Sequence, residues 1–249
     1  MKSLMIMILS FSLLVAITNK ELSKKSDATT DGFISSKSDM TMILINANNQ
    51  KTVRKMKSVV LEGKNGDKSL MEFLTPADVK GTKMLTHEHI DSDDDQWLYL
   101  PALKRAKRIA SSNKSGSFMG SEFSYEDTAN SSWEKFTYDK TLEDVVLDSV
   151  KCYKGTRYPT DENSGYTKQI TWIDKTTYLV KKIEYFDRKS ELLKTAIFTD
   201  WKKIDGVYLM GRIHMTNHQN KKQTILKWTN RQIKVALQDK DFTKRKLKR

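Results

Sequence analysis

Short polar turns punctuate this chain at close, regular intervals, and they limit what it can fold into. Asn48-Asn49-Gln50, Gly63-Lys64-Asn65-Gly66-Asp67, Asp187-Arg188-Lys189-Ser190 and Asp205-Gly206 separate runs rich in β-branched and aromatic residues. Gly and Asn accept positive φ, and Asx side chains bond their own backbone, so such segments reverse a chain. A spacing of roughly 8–12 residues between them predicts an antiparallel meander and argues against βαβ units. Met40, Met42 and Leu44 share one side of an extended chain and Thr41, Ile43 and Ile45 the other, which predicts a strand covered on both faces. Val53 to Glu62 reads as a half-exposed strand. Further strand candidates are 69–74, 82–87, 96–100, 105–110, 141–153, 167–173, 178–186, 193–201, 207–217 and 223–233. A twisted sheet of about ten strands curls, because an open one leaves too much apolar face uncovered. The expectation is a mainly β protein, β-rich α+β, with one curved antiparallel sheet or partial barrel.

The N-terminus bears on compartment. Lys2 precedes an apolar run from Leu4 to Ile17 broken only by Ser10 and Ser12. That is the length of a signal-peptide core and short of the ~20 residues that span a bilayer. Residues 1–18 are therefore read as a signal peptide cut near Asn19, the alternative being an uncleaved anchor helix. Residues 19–38 form a polar arm or short helix, and 39–249 the folded domain. Cys152 is the sole cysteine, so no internal disulfide forms, and within Val150-Lys151-Cys152-Tyr153 it reads as a strand residue.

The net charge of +13 attracts phosphate, whether in nucleic acid or in anionic lipid. No zinc-finger spacing or aromatic nucleic-acid signature accompanies the basic residues. Export removes nucleic acid from the choice.

Residues 111–140 make up the longest irregular stretch. They are rich in Ser, Asn and Gly, yet carry Phe118, Met119, Phe123, Tyr125, Trp133 and Phe136. A disordered linker is poor in aromatics, and long loops with hydrophobic anchors are commonly lids. This segment is expected to pack over the open side of the sheet.

Three stretches carry a resemblance. They are Glu72-Phe73-Leu74-Thr75-Pro76-Ala77-Asp78-Val79-Lys80-Gly81-Thr82, then Asp94-Asp95-Gln96-Trp97-Leu98-Tyr99-Leu100-Pro101-Ala102-Leu103-Lys104-Arg105 continuing through Ser115–Ser121 to Tyr125-Glu126-Asp127, and the ending Asp241-Phe242-Thr243 with Leu247. With the Asp39–Met42 opening strand they resemble the bacterial outer-membrane lipoprotein-sorting proteins, relatives of the LolA-like periplasmic lipoprotein carriers. The resemblance implies a half-barrel closed by short helices and loops over an apolar cavity. It implies a periplasmic monomer that needs no cofactor and binds lipid or lipoprotein acyl chains. Its partners would be an inner-membrane exporter of the resistance–nodulation–division type or an outer-membrane acceptor.

On that reading Phe118, Met119, Phe123 and Tyr125 are cargo or lid residues, with Trp97 and Tyr99 as lining from the neighbouring strand. Ordinary core packing is the competing role for all six. The eleven methionines suit an adaptable lining, although several lie in the signal segment. Lys104, Arg105, Lys107 and Arg108 form the sharpest basic cluster, and the tail 244–249 the second. Either could meet anionic headgroups or an acidic partner, or simply keep an edge strand soluble.

Other motifs favour bland roles. Asp91, Asp93, Asp94 and Asp95 lack the Gly and terminal Glu of a calcium loop. His87 and His89 share a face with Asp91, but a zinc site would need His214 or His218 brought alongside. Ser115–Ser121 lacks the Gly-Lys-Ser/Thr of a phosphate loop. No nucleophile elbow or cofactor loop supports a hydrolase, so no catalytic residue and no metal are assigned. The remaining contender is a docking module of an envelope complex that carries nothing.

Overall fold

The computed structural model describes residues 17–129 and 132–248. The apolar run read as a signal peptide lies, through residue 16, outside the described residues. Helix α1 (Asn19–Thr30) opens the described chain, its first turn closed by a capping box between Thr18 and Glu21. Strands β1 (Ser35–Ile45), β2 (Lys51–Leu61), β3 (Lys68–Thr75), β4 (Lys83–His87), β5 (Asp95–Leu100) and β6 (Arg105–Arg108) then pair one after another. After a long connector come β7 (Phe136–Leu147), β8 (Val150–Pro159), β9 (Lys168–Asp174), β10 (Val180–Phe186) and β11 (Leu192–Thr199). A separate hairpin, β12 (Lys202–Ile204) and β13 (Val207–Leu209), precedes β14 (Arg212–Asn217), β15 (Gln223–Ile233) and a final turn of helix, α2 (Lys244–Leu247).

Among the described residues thirteen strands form one antiparallel sheet in the order β6-β5-β4-β3-β2-β1-β15-β14-β11-β10-β9-β8-β7. The sheet is curved and does not close. The first meander runs out to the β6 edge, and the second returns from the β7 edge to zip β15 onto β1. Residues 109–135 must therefore cross from one edge of the sheet to the other. That topology, more than any local propensity, lays the connector across the concave face.

Two strand assignments change. The stretch 141–153 is not one strand: the chain reverses at Asp148 and Ser149, both with positive φ (47° and 69°), between β7 and β8. Without Gly or Asn there, the two-residue turn that suits twisted hairpins left no signature. The stretch 207–217 breaks at Met210-Gly211, where the chain leaves the small hairpin and enters the main sheet. No described helix is long and apolar enough to cross a membrane.

Strand alternation distributes two cores. The larger, on the concave face, gathers Met42, Met56, Phe73, Met84 and Met215 with Phe118 and Phe123 of the connector. The smaller, on the convex face, packs Leu85 and Trp97 beneath Phe242 and Leu247 of the C-terminal segment.

Candidate functional site: a methionine-lined cavity under the connector

The concave face, the connector, α1 and the β12–β13 hairpin enclose a cavity of about 1020 Å³. This is at the upper end of the ~300–1,000 Å³ usual for small-molecule sites. Met40, Met42, Met56, Met71, Met210 and Met215 line it, six of the eight methionines among the described residues. Unbranched thioether side chains repack at low cost, so such a wall conforms to its contents.

The connector enters this space as a miniature hairpin. Ser117 and Ser124 form an isolated antiparallel bridge, and Phe118 N donates to Phe123 O (2.7 Å). Met119 and Gly120 turn the chain with φ of 52° and 73°. Phe118 and Phe123 are thereby driven inward, line the cavity, and keep 1% and 3% exposure. Phe118 packs against Phe73 and edge-on to Tyr125, with ring centroids 5.9 and 5.8 Å apart. Met119 and Tyr125 are half-buried against the same cluster. Arg54 Nη1 donates to Met119 O (2.5 Å), tying the hairpin tip to β2.

A buried polar knot holds the connector down. Asp127 accepts from Ser124 N, Tyr166 Oη and Lys194 Nζ, at 2.6, 2.8 and 2.5 Å. Lys194 also donates to Glu122 O (3.1 Å) and lies over the rings of Tyr166 and Tyr185. Burial raises the Tyr166 and Tyr185 phenols, and the Asp127 carboxylate adds to it. Of these residues only Asp127, at the end of the second family-like stretch, stood out in the sequence. One signal was available, since Lys194 has the strand phase of the inward-facing Ala196.

Helix α1 closes another side. Asp27 accepts from Trp133 N (2.7 Å), and Asn19 Nδ2 donates to Thr156 O (2.8 Å). Burial pushes the Asp27 carboxyl up to about 7, against the pull of the Trp133 N–H and of Arg157. Arg157 is itself buried, donates from Nε to Gln169 Oε1 (2.9 Å) and lies over the Phe136 ring.

Other expected site residues lie elsewhere. Trp97 and Tyr99 do not face the cavity. Alternation on β5 gives the concave face to Gln96 and Leu98 and turns Trp97 and Tyr99 into the convex cluster under Phe242. Lys104, Arg105, Lys107 and Arg108 are all exposed at the β6 edge. Arg105 and Lys107 stand opposite Leu100 and Leu98, whereas Arg108 stands opposite Trp97 and pairs with Asp95 (2.6 Å). In the tail, Lys244 lies over Trp97 and Lys246 pairs with Asp241.

The histidines engage separate partners: His87 with Phe242 O, His89 with Asp95, His214 with Gln223 and His218 with Thr195. No group of three His, Cys, Asp or Glu among the described residues is arranged to hold a metal. Cys152 is fully buried on β8, and burial pushes its thiol up.

A family model described as an uncharacterized protein matches residues 65–249. The chain is 44% identical to the outer membrane lipoprotein-sorting protein domain from Vibrio parahaemolyticus, with a TM-score of 0.89 over 92% of this chain and 98% of that one. It belongs to the outer-membrane lipoprotein-sorting protein family. A second family relative, a DUF1329 protein from Desulfovibrio piger, is 31% identical at a TM-score of 0.85, over 92% and 97% of the two chains. A LolA superfamily protein from Nitrosomonas europaea shares the fold at 19% identity, with a TM-score of 0.75 over 93% and 100%. A search of curated proteins finds no match. The LolA-like fold thus comes to this lipoprotein-sorting family member with the connector, the cavity and the convex C-terminal cover described above.

Proposed function

We propose that this protein is a periplasmic carrier that shelters acyl chains of a lipid or lipoprotein in the methionine-lined cavity. It hands them between envelope partners, an inner-membrane exporter on one side or an outer-membrane acceptor on the other, and performs no chemistry on them. One observation carries the reading: about 1020 Å³ of space faced by six methionines and five phenylalanines in a highly charged protein. An acyl chain gains about 0.8 kcal/mol for each CH₂ taken out of water. A chain of ordinary length therefore outweighs the loss of freedom on binding without close shape matching. The same softness lets several cargoes fit. The kinship with a lipoprotein-sorting protein domain from Vibrio parahaemolyticus supports the choice of cargo class.

Native mass spectrometry on protein purified gently from periplasm, followed by lipid extraction, tests this. A retained acyl species at a fixed ratio is the expected result. Bare protein that also refuses a fluorescent fatty acid would overturn the carrier and leave the docking module.

A further inference from the structure

Within the carrier reading, the cavity also bears on how its cargo is oriented. Twelve carboxylates and four basic side chains line it, in a chain where basic residues outnumber acidic ones by 44 to 31. Three of the four cations are engaged. Lys114 pairs with Asp161, Lys135 with Asp94 (2.7 Å), and Arg157 donates to Gln169. Arg231 is the exception. Among the described residues its guanidinium has neither a carboxylate nor a hydrogen-bond acceptor, and its one neighbour of note is the Trp228 ring, 5.6 Å from centroid to Cζ.

A backbone device aims it. Strand β15 pairs with β1 so that Lys37 faces Gln232 and Asp39 faces Thr229, leaving Asn230 and Arg231 opposite the single residue Ser38. This is a β-bulge, and bulges re-aim side chains. Asn230 takes the strain with φ of 51°, and its Nδ2 donates to Asp39 Oδ2 (2.8 Å). Plain alternation would put Arg231 on the face opposite Trp228. The bulge resets the phase, and both line the cavity.

A cation–π contact with an aromatic ring uses none of the guanidinium N–H groups as hydrogen-bond donors to oxygen, so the Arg231 fork remains available to a ligand. That fork matches the paired oxygens of a carboxylate or a phosphate. Burial alone lowers the Arg231 guanidinium, to about 10, so it stays charged at neutral pH with no carboxylate opposing the loss of water. A second donor at this end of the sheet also lacks an acceptor: the Trp201 indole N–H is sealed from solvent and unbonded among the described residues. Trp201 follows β11 beside Asp200, whose carbonyl abuts Gly211, and Gly211 O accepts from Trp228 N (2.9 Å).

We propose that Arg231 is the anchor for an acidic head group of the cargo, a carboxylate or a phosphate monoester, held inside the cavity while the acyl chain lies along the methionines. The cargo thus enters head first, and a neutral lipid of equal length is a poor ligand.

The test compares palmitic acid, 1-palmitoyl lysophosphatidic acid and hexadecanol as competitors for a fluorescent fatty-acid probe, using protein expressed from the full chain. At least one acid is expected to bind about tenfold or more tighter than the alcohol, a difference of about 1.4 kcal/mol. Whichever acid binds tighter identifies the head group as carboxylate or phosphate. Arg231→Met keeps an unbranched apolar side chain at this position and removes the fork, so the acid should fall to the level of the alcohol while hexadecanol binding holds. Arg231→Gln repeats the comparison if the Met variant folds poorly by circular dichroism. Equal binding of acids and alcohol by the unaltered protein would overturn the anchor and leave the carrier intact. Failure of all three to bind would overturn the carrier and the anchor together.

Discussion

Lys194 Nζ lies 2.5 Å from Asp127 Oδ2 beneath the connector, and the two side chains keep only 4% and 5% of their surface. The pair joins β11 to the segment that carries Phe118 and Phe123, so any opening of the connector must separate it. Removing one member of a buried pair strands the other charge, at about 3–5 kcal/mol. Lys194→Met should lower the urea-unfolding free energy by that amount. It should also expose 111–129 to protease before the sheet unfolds. Lys194→Met with Asp127→Asn should recover part of the loss. A single-variant cost below about 1 kcal/mol would show that the connector is held by its phenylalanines alone.

The cavity makes a contrast between two methionines on the same face. Met71 lines open space, whereas Met84, its register partner on β4, is 0% exposed in close packing. Met71→Trp should fill volume the acyl chain needs and weaken fatty-acid uptake about tenfold, with the unfolding free energy changed by under about 1 kcal/mol. Met84→Trp has no such room and should cost about 1–3 kcal/mol by overpacking. Equal destabilisation by both would mean that the space beside Met71 collapses in solution.

Much of this architecture was legible in the turns and the alternation. Gly63–Asp67 and Asp187–Ser190 marked reversals, and Met40 and Met42 marked a covered face. The aromatic pegs of the connector were visible because Phe118 and Phe123 interrupt a polar stretch. What could not be read was which face is concave. Alternation fixes that Trp97 and Leu98 differ, but the sign depends on how thirteen strands curl and on Phe242, 145 positions away, covering the convex side. Arg231 was hidden for a related reason, because a bulge shifts phase and no residue type announces one. Asp148-Ser149 escaped notice because the turn used residues with only a modest tolerance for positive φ.

Trp97 supplies a check on that division of faces. It is 7% exposed, meets His87 edge-on at 5.2 Å, and is covered by Lys244 at 4.6 Å. Trp97→Ala should destabilise by about 3–5 kcal/mol, as large aromatic truncations do. Fatty-acid affinity, measured below the unfolding transition, should stay unchanged. Parallel loss of affinity without unfolding would place Trp97 in the cavity wall after all.

Asp27 ties the stability of the α1 seal to pH. Its carboxyl is pushed up to about 7 by burial, with Asp31 and Glu134 adding to the rise while the Trp133 N–H and Arg157 oppose it. In the unfolded chain an aspartate titrates near 3.9. Between these values the folded state holds a proton that the unfolded state has released, so stability falls as pH rises. The contribution is whole below about pH 4 and gone above about pH 7, with a slope of at most about 1.4 kcal/mol per pH unit. Asp31, raised by its own burial, acts in the same direction. Asp27→Asn retains an acceptor for the Trp133 N–H but cannot ionise. It should flatten the pH profile of unfolding free energy between about pH 5 and 7 and leave the variant more stable than the parent at pH 8. Urea titrations at pH 5, 6, 7 and 8 decide it. Parallel profiles for parent and variant would mean that Asp27 is solvated and that α1 is held by Asn19 and the Trp133 contact without regard to pH.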